Sequence, residues 1–417
     1  MKLLYNLFIF LYPKIAFIIS PFNQKAGLWI KGRIGLFRKL RVTFQQNNAP
    51  VVWMHCSSLG EFEQGRPLLE AFKQQYPTYR LLLTFFSPSG YEVRKHYDGA
   101  DWVFYLPMDS KRNAASFLNI VKPAIALFVK YEFWYYYLTI AKERNIPVFL
   151  VSGVFRESQP FFKWYGGLYR KMLGCYHHLF LQNEFSDSLL RSINIKNVSV
   201  SGDTRFDRVM AIAGSFTSIT LIEQFIEHND TLVAGSTWLE DDEELCHYAN
   251  NHPEIKFIIA PHDISAERIK ECKRLYKNAV LFSEITNHLP GSMHTNILII
   301  DNIGMLSRLY RYATIAYIGG AFGEDGVHNV LEAAVFYKPV VFGPVYEKYA
   351  EATALIGCGG GFSIDSALSL EIKLNELFLN RQLYGTAAQK AGDFVKSHAG
   401  AAQKIMEYFY ENRLLIN

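Results

Sequence analysis

Short apolar runs alternate with helical patterns along nearly the whole chain, and this alternation narrows the possible folds more than any other feature. "VVWMH" (51–55), "RLLLTFF" (80–86), "AIALFVK" (124–130), "PVFLVSG" (147–153), "HLFLQN" (178–183) and "VSVSGD" (198–203) read as strands. Amphipathic or turn-led helical stretches lie between them, such as Glu61–Tyr76 and "SPSGYEVRKHY". The pattern pauses in polar, helical sequence near 205–225. It resumes with "TLVAGS" (231–236), "KFIIAP" (256–261), "AVLFSE" (279–284), "NILIID" (296–301), "IAYIGG" (315–320) and "PVVFGP" (339–344). Strands that alternate with helices imply parallel sheets built from right-handed βαβ units. The chain has 417 residues, too many for a single core. The expected architecture is therefore α/β, with two doubly wound domains facing each other across a cleft. Their expected bounds are residues 23–210 and 211–417, with the last helix returning to the first domain. Ligands of such sheets sit at the carboxyl ends of the strands, so chemistry is sought in the loops that follow them.

The front end is different. No Asp or Glu occurs before Glu61, whereas the first 60 residues hold eight Lys and Arg. The whole chain is only +4, so the remainder is mildly acidic. Residues 3–19, "LLYNLFIFLYPKIAFII", are apolar enough to meet a bilayer but contain Pro13-Lys14. A spanning helix usually needs roughly 20 residues and tolerates a central charge poorly. Residues 1–22 are thus expected to be either a membrane anchor or a helix lying in the interface; a buried N-terminal helix is the bland alternative. Lys25, Lys31, Arg33, Arg38, Lys39 and Arg41 follow directly. They would attract anionic lipid and keep the body on the cytoplasmic side. No basic stripe elsewhere suggests nucleic acid. Five cysteines without CxxC spacing argue against a zinc site or a disulfide framework.

Four loops and one strand end could carry chemistry. Ser58-Leu59-Gly60-Glu61 follows the first strand. It fits a capping box, in which Ser58 and Glu61 only close a helix. It also fits a carboxylate held ionised at a helix start, ready to take a proton from a hydroxyl. Ser236 and Thr237 follow a second-half strand and could hold phosphate. The acids 240–244 behind them read as complements to a helix dipole rather than as a metal site. His262 follows another strand. The unit 317–344 runs from the strand Ile315–Ile318 into Gly319-Gly320, a loop, then "HNVLE" opening a helix. There Asn329 and Glu332 could meet a nucleotide, with Glu332 accepting from ribose hydroxyls. Glu132 in "KYEFW" reads equally as a polar structural residue or as an acceptor contact.

These motifs, in this order, resemble the 3-deoxy-D-manno-octulosonic acid (Kdo) transferases of lipopolysaccharide synthesis. The family's S-x-GE loop is Ser57 to Glu61 here. Its E-x-E-x-W motif falls on Lys130 to Trp134, with Lys130 in place of the first Glu. Its G-N-x-K-F-D falls on Gly202 to Asp207, and its A-G-S-T is intact at Ala234 to Thr237. Its G-E-L falls on Gly304-Met305-Leu306, so only a backbone role for Gly304 carries over. Its P-R-H falls on Pro261-His262-Asp263, where His262 would be a weaker, pH-dependent donor. Its G-G-H-N-x-L-E falls on Gly326 to Glu332.

The resemblance implies a GT-B fold, with an acceptor-binding and a CMP-sugar-binding Rossmann-like domain. It implies inverting transfer of Kdo from CMP-Kdo to a lipid A precursor (lipid IVA) at the inner membrane, on the cytoplasmic side, with no metal or other cofactor. Glu61 is then the catalytic base. Ser236, Thr237, His262, Gly304, Asn329 and Glu332 bind the donor, while Ser58, Gly60 and Glu132 lie on the acceptor side. The alternatives are a GT-B transferase or epimerase using a UDP-sugar, and a catalytically inactive membrane-bound scaffold.

Overall fold

The computed structural model describes residues 1–285 and 295–415. The described chain divides into two compact units, Met1–Arg208 with Ala399–Asn417, and Val209–His398.

The first unit is built on seven parallel strands among the described residues. They are β1 (Val51–Cys56), β2 (Arg80–Phe85), β3 (Trp102–Tyr105), β4 (Pro123–Val129), β5 (Val148–Gly153), β6 (His178–Leu181) and β7 (Val198–Val200). Their spatial order is β3-β2-β1-β4-β5-β6-β7. The chain starts near the centre, moves to one edge and then crosses to the other, as a doubly wound sheet does. Every residue of β1 is buried, because helices cover both faces of a parallel sheet. Trp53 faces one core with Phe117 and Phe128; Met54 faces the other with Phe62 and Phe72. The last helix, Ala401–Glu411, belongs to this second core. Phe409 packs edge-on against Phe72 at 5.1 Å, and Asp207 accepts hydrogen bonds from the Gly400 and Ala401 amides.

The second unit repeats the plan with β8 (Thr231–Thr237), β9 (Lys256–Pro261), β10 (Val280–Leu281), β11 (Ile297–Ile299), β12 (Ile315–Ile318), β13 (Val340–Phe342) and β14 (Gly361–Ser363). Their order is β10-β11-β9-β8-β12-β13-β14, again all parallel. The expectation of two doubly wound α/β domains holds. Two strands were not expected from the sequence, β3 and β14. Both are short and lie at or next to a sheet edge, and three residues of β3 are only half-buried. The run 279–284 gives a strand of only two residues before the chain turns helical at Phe282–Ile285.

Three helices precede β1: α1 (Lys2–Ile19), α2 (Gln24–Arg33) and α3 (Leu36–Phe44). The body holds α1 by one stripe. Tyr5 donates to the Asp109 carboxylate, and Tyr136 Oη donates to Asn6 Oδ1 at 2.7 Å. Ile9 and Ala16 are buried, and Tyr12 meets Trp29 edge-on at 5.2 Å. These positions fall at intervals of three and four, the spacing of one helix face. The opposite side leaves Leu3, Leu7, Phe10, Phe17 and Ile18 exposed.

Asp109 ties α1 to the start of the helix Tyr135–Glu143, since it also accepts from the Tyr136 and Tyr137 amides at 2.9 Å each. Its carboxyl is pushed up to about 6, chiefly by burial, with the three hydrogen bonds opposing. In an unfolded chain an Asp loses its proton near 3.9. Between the two values the native state holds a proton that the unfolded state has released. The group's contribution to stability therefore falls as pH rises from about 4 to about 6. Unfolding free energies of the wild type and Asp109→Asn, from urea titrations across that window, should diverge in this direction by about 2–3 kcal/mol. A pH-independent difference would contradict this reading of Asp109.

Candidate active site

In the first unit the candidate residues gather at the carboxyl end of β1. The chain leaves β1 at Cys56 and, after two intervening residues, enters α4 (Leu59–Gln75). Ser58 is the residue before the helix, yet its side chain makes no capping bond to the backbone. Its hydroxyl donates instead to the Glu61 carboxylate. The capping-box geometry is thus not what forms. Glu61 is half-buried on the first turn of α4, where the helix dipole favours a negative charge, and Gly60 beside it is exposed. The next strand's loop leans on this one, as the Ser87 amide donates to the Ser57 carbonyl at 2.7 Å.

Beneath the loop lies a buried polar pair that the sequence alone did not single out. His55, in the otherwise apolar β1, is fully buried, and Glu132, just past β4, is 1% exposed. His55 Nε2 lies 3.2 Å from Glu132 Oε2, and the Trp134 indole donates to the same oxygen at 2.5 Å. His55 Nδ1 is 2.9 Å from Thr84 Oγ1 on β2, which accepts from Trp53 Nε1 at 2.8 Å. One chain of contacts thus links β1, β2 and the end of β4. The Glu132 carboxylate is engaged inside the protein, the geometry of the polar structural reading that the sequence also offered. The missed signal was the histidine itself, because a polar ring inside a fully buried strand needs a partner on a neighbouring strand.

Tyr131, next to Glu132, is 40% exposed. Burial raises its hydroxyl above the usual range, Arg156 and Arg205 oppose that rise, and Glu61 adds to it. Tyr131, Arg156 and Arg205 therefore share one electrostatic neighbourhood with Glu61. Arg205 is anchored there by Asp203 at 2.7 Å.

In the second unit the loops after β8, β9 and β12 interlock. Asp241 is fully buried and accepts from the Trp238 amide at 2.9 Å, the Gly320 amide at 2.8 Å and the Tyr317 hydroxyl at 2.9 Å. It fastens the Ser236-Thr237 turn to the Gly319-Gly320 turn. Its neighbour Asp242 pairs with Arg268 and accepts from Tyr276 at 2.8 Å. Two of the acids expected only to complement a helix dipole thus organise the site. Gly319 has no room for a side chain, as a Cβ would stand 2.4 Å from the Ser236 carbonyl oxygen. Gly320 has φ +93°.

His262 is exposed and stacks against two neighbouring rings. Its ring centroid lies 4.7 Å from that of Trp238 and 4.7 Å from that of His328. Trp238 Nε1 donates to His328 Nε2 at 3.1 Å. An indole only donates, so His328 is neutral with its proton on Nδ1. Burial first, and then His262, lower the His328 pKa accordingly. Asn329 Nδ2 donates to Glu332 Oε1 at 3.0 Å. The helix expected after "HNVLE" is a single turn, Leu331–Ala334, so its dipole adds little. Gly304, exposed with φ +97°, stands apart from these contacts.

The second unit therefore offers the Ser236 hydroxyl, backbone turns and an aromatic–imidazole stack at one sheet edge, groups suited to a nucleotide, whereas Thr237 is fully buried behind them. The first offers a carboxylate beside a hydroxyl. Together these features define a two-domain α/β protein of the GT-B type. The family model described as 3-Deoxy-D-manno-octulosonic-acid transferase (kdotransferase) matches residues 30–208. A 3-deoxy-D-manno-octulosonic acid transferase of Chlamydia trachomatis is 27% identical over 408 residues, covering 95% of this chain and 92% of that protein. One from Aquifex aeolicus is 26% identical, covering 84% and 95%. Among solved structures, the UDP-GlcNAc 2-epimerase of Neisseria meningitidis bound to UDP-GlcNAc superposes with a TM-score of 0.62. It is 18% identical, covers 87% of this chain and 100% of that one, and speaks for the fold alone. Residues 30–208 match the Kdo transferase family model, and the similarity to Kdo transferases at 26–27% identity extends over most of the chain.

Replacing Glu132 by Ala should remove the acceptor of the Trp134 indole and the carboxylate 3.2 Å from His55 Nε2. An unsatisfied buried polar group costs about 1–3 kcal/mol. The melting temperature should fall by several degrees, whereas Glu61→Gln should barely move it. An unchanged melting temperature in Glu132→Ala would remove its positioning role.

Proposed function

We propose that this protein is an inverting glycosyltransferase that moves Kdo from CMP-Kdo to a lipid A precursor, lipid IVA, in lipopolysaccharide synthesis. The observation that carries the reading is Glu61. It is the first carboxylate in the chain, it stands at the carboxyl end of β1 on a helix start, and it lies inside the family-matching segment. In this reading the acceptor sugar hydroxyl attacks the anomeric carbon of Kdo as the bond to the CMP phosphate oxygen breaks. Glu61 takes the hydroxyl proton, and CMP leaves as an anion. A single displacement inverts the anomeric centre.

The second unit holds the donor. Ser236 and the Gly319-Gly320 turn face the phosphate, with the fully buried Thr237 supporting them, and Asn329 and Glu332 face the ribose and base. The neutral His328 props His262 against the nucleotide, and Gly304 contributes backbone only. Ser58 orients Glu61 through their hydrogen bond, and Gly60 leaves the helix start open to the acceptor. The chemistry needs no metal in this scheme, so chelator should leave turnover intact.

The protein is proposed to work attached to the inner membrane with its body in the cytoplasm. The stripe that binds α1 to the body includes Tyr5 and Asn6, whose polar partners would be lost if the helix crossed a bilayer alone. This favours α1 lying in the interface. Its outer Leu, Ile and Phe side chains then enter lipid, each gaining about 1.5–3 kcal/mol on full burial. The cations at 25–41 add an electrostatic term, except Arg33, whose guanidinium donates to the Leu106 and Phe86 carbonyls inside the body.

Two measurements test these readings. Glu61→Gln should lose at least about a hundredfold in turnover, by mass spectrometry of the Kdo-modified lipid, with an unchanged melting temperature. CMP, not UDP, should raise that temperature, because a ligand stabilises only the state that binds it; the opposite order would favour a UDP-sugar enzyme. An inactive wild type that still binds CMP tightly would favour the scaffold. Separately, Leu3→Asp with Leu7→Asp and Phe10→Asp should abolish vesicle binding without changing stability, since these side chains are largely exposed. Vesicle binding as tight as wild type would sink the interfacial reading.

A further inference from the structure

Four lysines from four helices line one cavity of about 650 Å³ in the first unit. Lys2 opens α1, Lys111 opens the helix Lys111–Val121, Lys142 lies in Tyr135–Glu143, and Lys171 lies in Gly167–Leu173. Lys2 and Lys171 converge on one ring, their ammonium groups 5.4 and 5.7 Å from the Tyr135 centroid. Lys142 donates to the Gly174 carbonyl at 2.6 Å. Glu143 is the lone carboxylate among the lining residues, so the wall is strongly positive. Like charges gathered on a concave wall focus a field that an anion relieves.

A second cavity, of about 420 Å³, shares Lys111 and Tyr136 with the first. Its other lining includes Ile9, Phe10 and Pro13 of α1, and Met108. A cationic chamber therefore adjoins an apolar one along α1. Phe10 contributes to the apolar chamber and belongs to the exposed side of that helix.

We propose that these adjoining cavities bind a single anionic membrane lipid. The phosphate headgroup sits among Lys2, Lys111 and Lys171, and the start of an acyl chain lies against Ile9, Phe10, Pro13 and Met108. A soluble anion uses only the first chamber and an uncharged amphiphile only the second; a phospholipid uses both. This differs from diffuse attraction by residues 25–41, because the cations here are fixed around one concavity. A bound lipid would also tie α1 to three helices of the body, adding to the Asp109 contact.

The experiment uses the full chain purified in detergent and native mass spectrometry with phosphatidylglycerol or phosphatidylcholine. Wild type should retain one phosphatidylglycerol and little phosphatidylcholine. Lys111→Glu with Lys171→Glu should weaken that retention at least about tenfold. Lys111→Gln with Lys171→Gln should act in the same direction, which guards against misfolding by charge reversal. Lys39→Glu with Arg41→Glu makes the same charge change outside the cavity and should keep the retained lipid. Equal loss in the inside and outside pairs would overturn the proposal in favour of diffuse attraction. So would displacement of the lipid by millimolar inorganic phosphate, because the apolar chamber would then contribute nothing. Retention of the acceptor glycolipid in place of phosphatidylglycerol would also overturn it, assigning the cavity to substrate.

Discussion

A parallel sheet buried on both faces has few places for a polar side chain, and most of this molecule follows from that limit. Inside the strands every group must be apolar or paired. At the carboxyl edge the chain turns, glycines tighten, and polar groups can reach both water and one another. The exception within β1 shows how strict the limit is. His55 is tolerated because Thr84 from one neighbouring strand and Glu132 from beyond the other meet its two ring nitrogens. That three-strand connection forms the floor under the Ser58–Glu61 loop.

The two units solve the same edge problem with different chemistry. In the first, a buried imidazole–carboxylate pair supports a loop whose own carboxylate, Glu61, is half-buried. In the second, a buried carboxylate, Asp241, gathers two backbone amides and a phenol, so that the turns after β8 and β12 are locked to each other. The stack of Trp238, His262 and His328 stands beside that lock. Rigid loops of this kind suit a ligand that must be held in one pose.

How legible this was in the sequence depended on whether the signal was local. Twelve of the strands announced themselves as apolar runs, because burial on both faces erases the alternation that would otherwise be needed. Strands β3 and β14 did not, because a short strand at or near an edge carries neither a long apolar run nor strong flanking turns. Ser58, Gly60 and Glu61 were readable as a loop after a strand. The partnership of Ser58 with Glu61, rather than with the helix backbone, was not, since capping and catalytic spacings coincide. Glu132 was readable as polar, but its partner lies 77 positions earlier, and only the sheet order brings β1 beside β4. The link from Tyr5 to Asp109 was invisible for the same reason. The sequence of α1 speaks of hydrophobicity, while its attachment to the body depends on a residue in another loop.

The return of the last helix has a consequence for how the chain is made. Phe409 fills a core whose other walls, Phe72 and Phe149, are synthesised some hundreds of residues earlier. During translation the unit Val209–His398 is a continuous stretch, complete before the ribosome reaches the closing segment of the first. Chains generally fold from the amino end as domains emerge. Here the order is partly inverted: the nested unit can finish while the first still lacks one wall of a core. Until Ala401–Glu411 emerges that gap exposes aromatic surface, so this helix acts as a keystone, and a truncation before Phe409 damages the first unit.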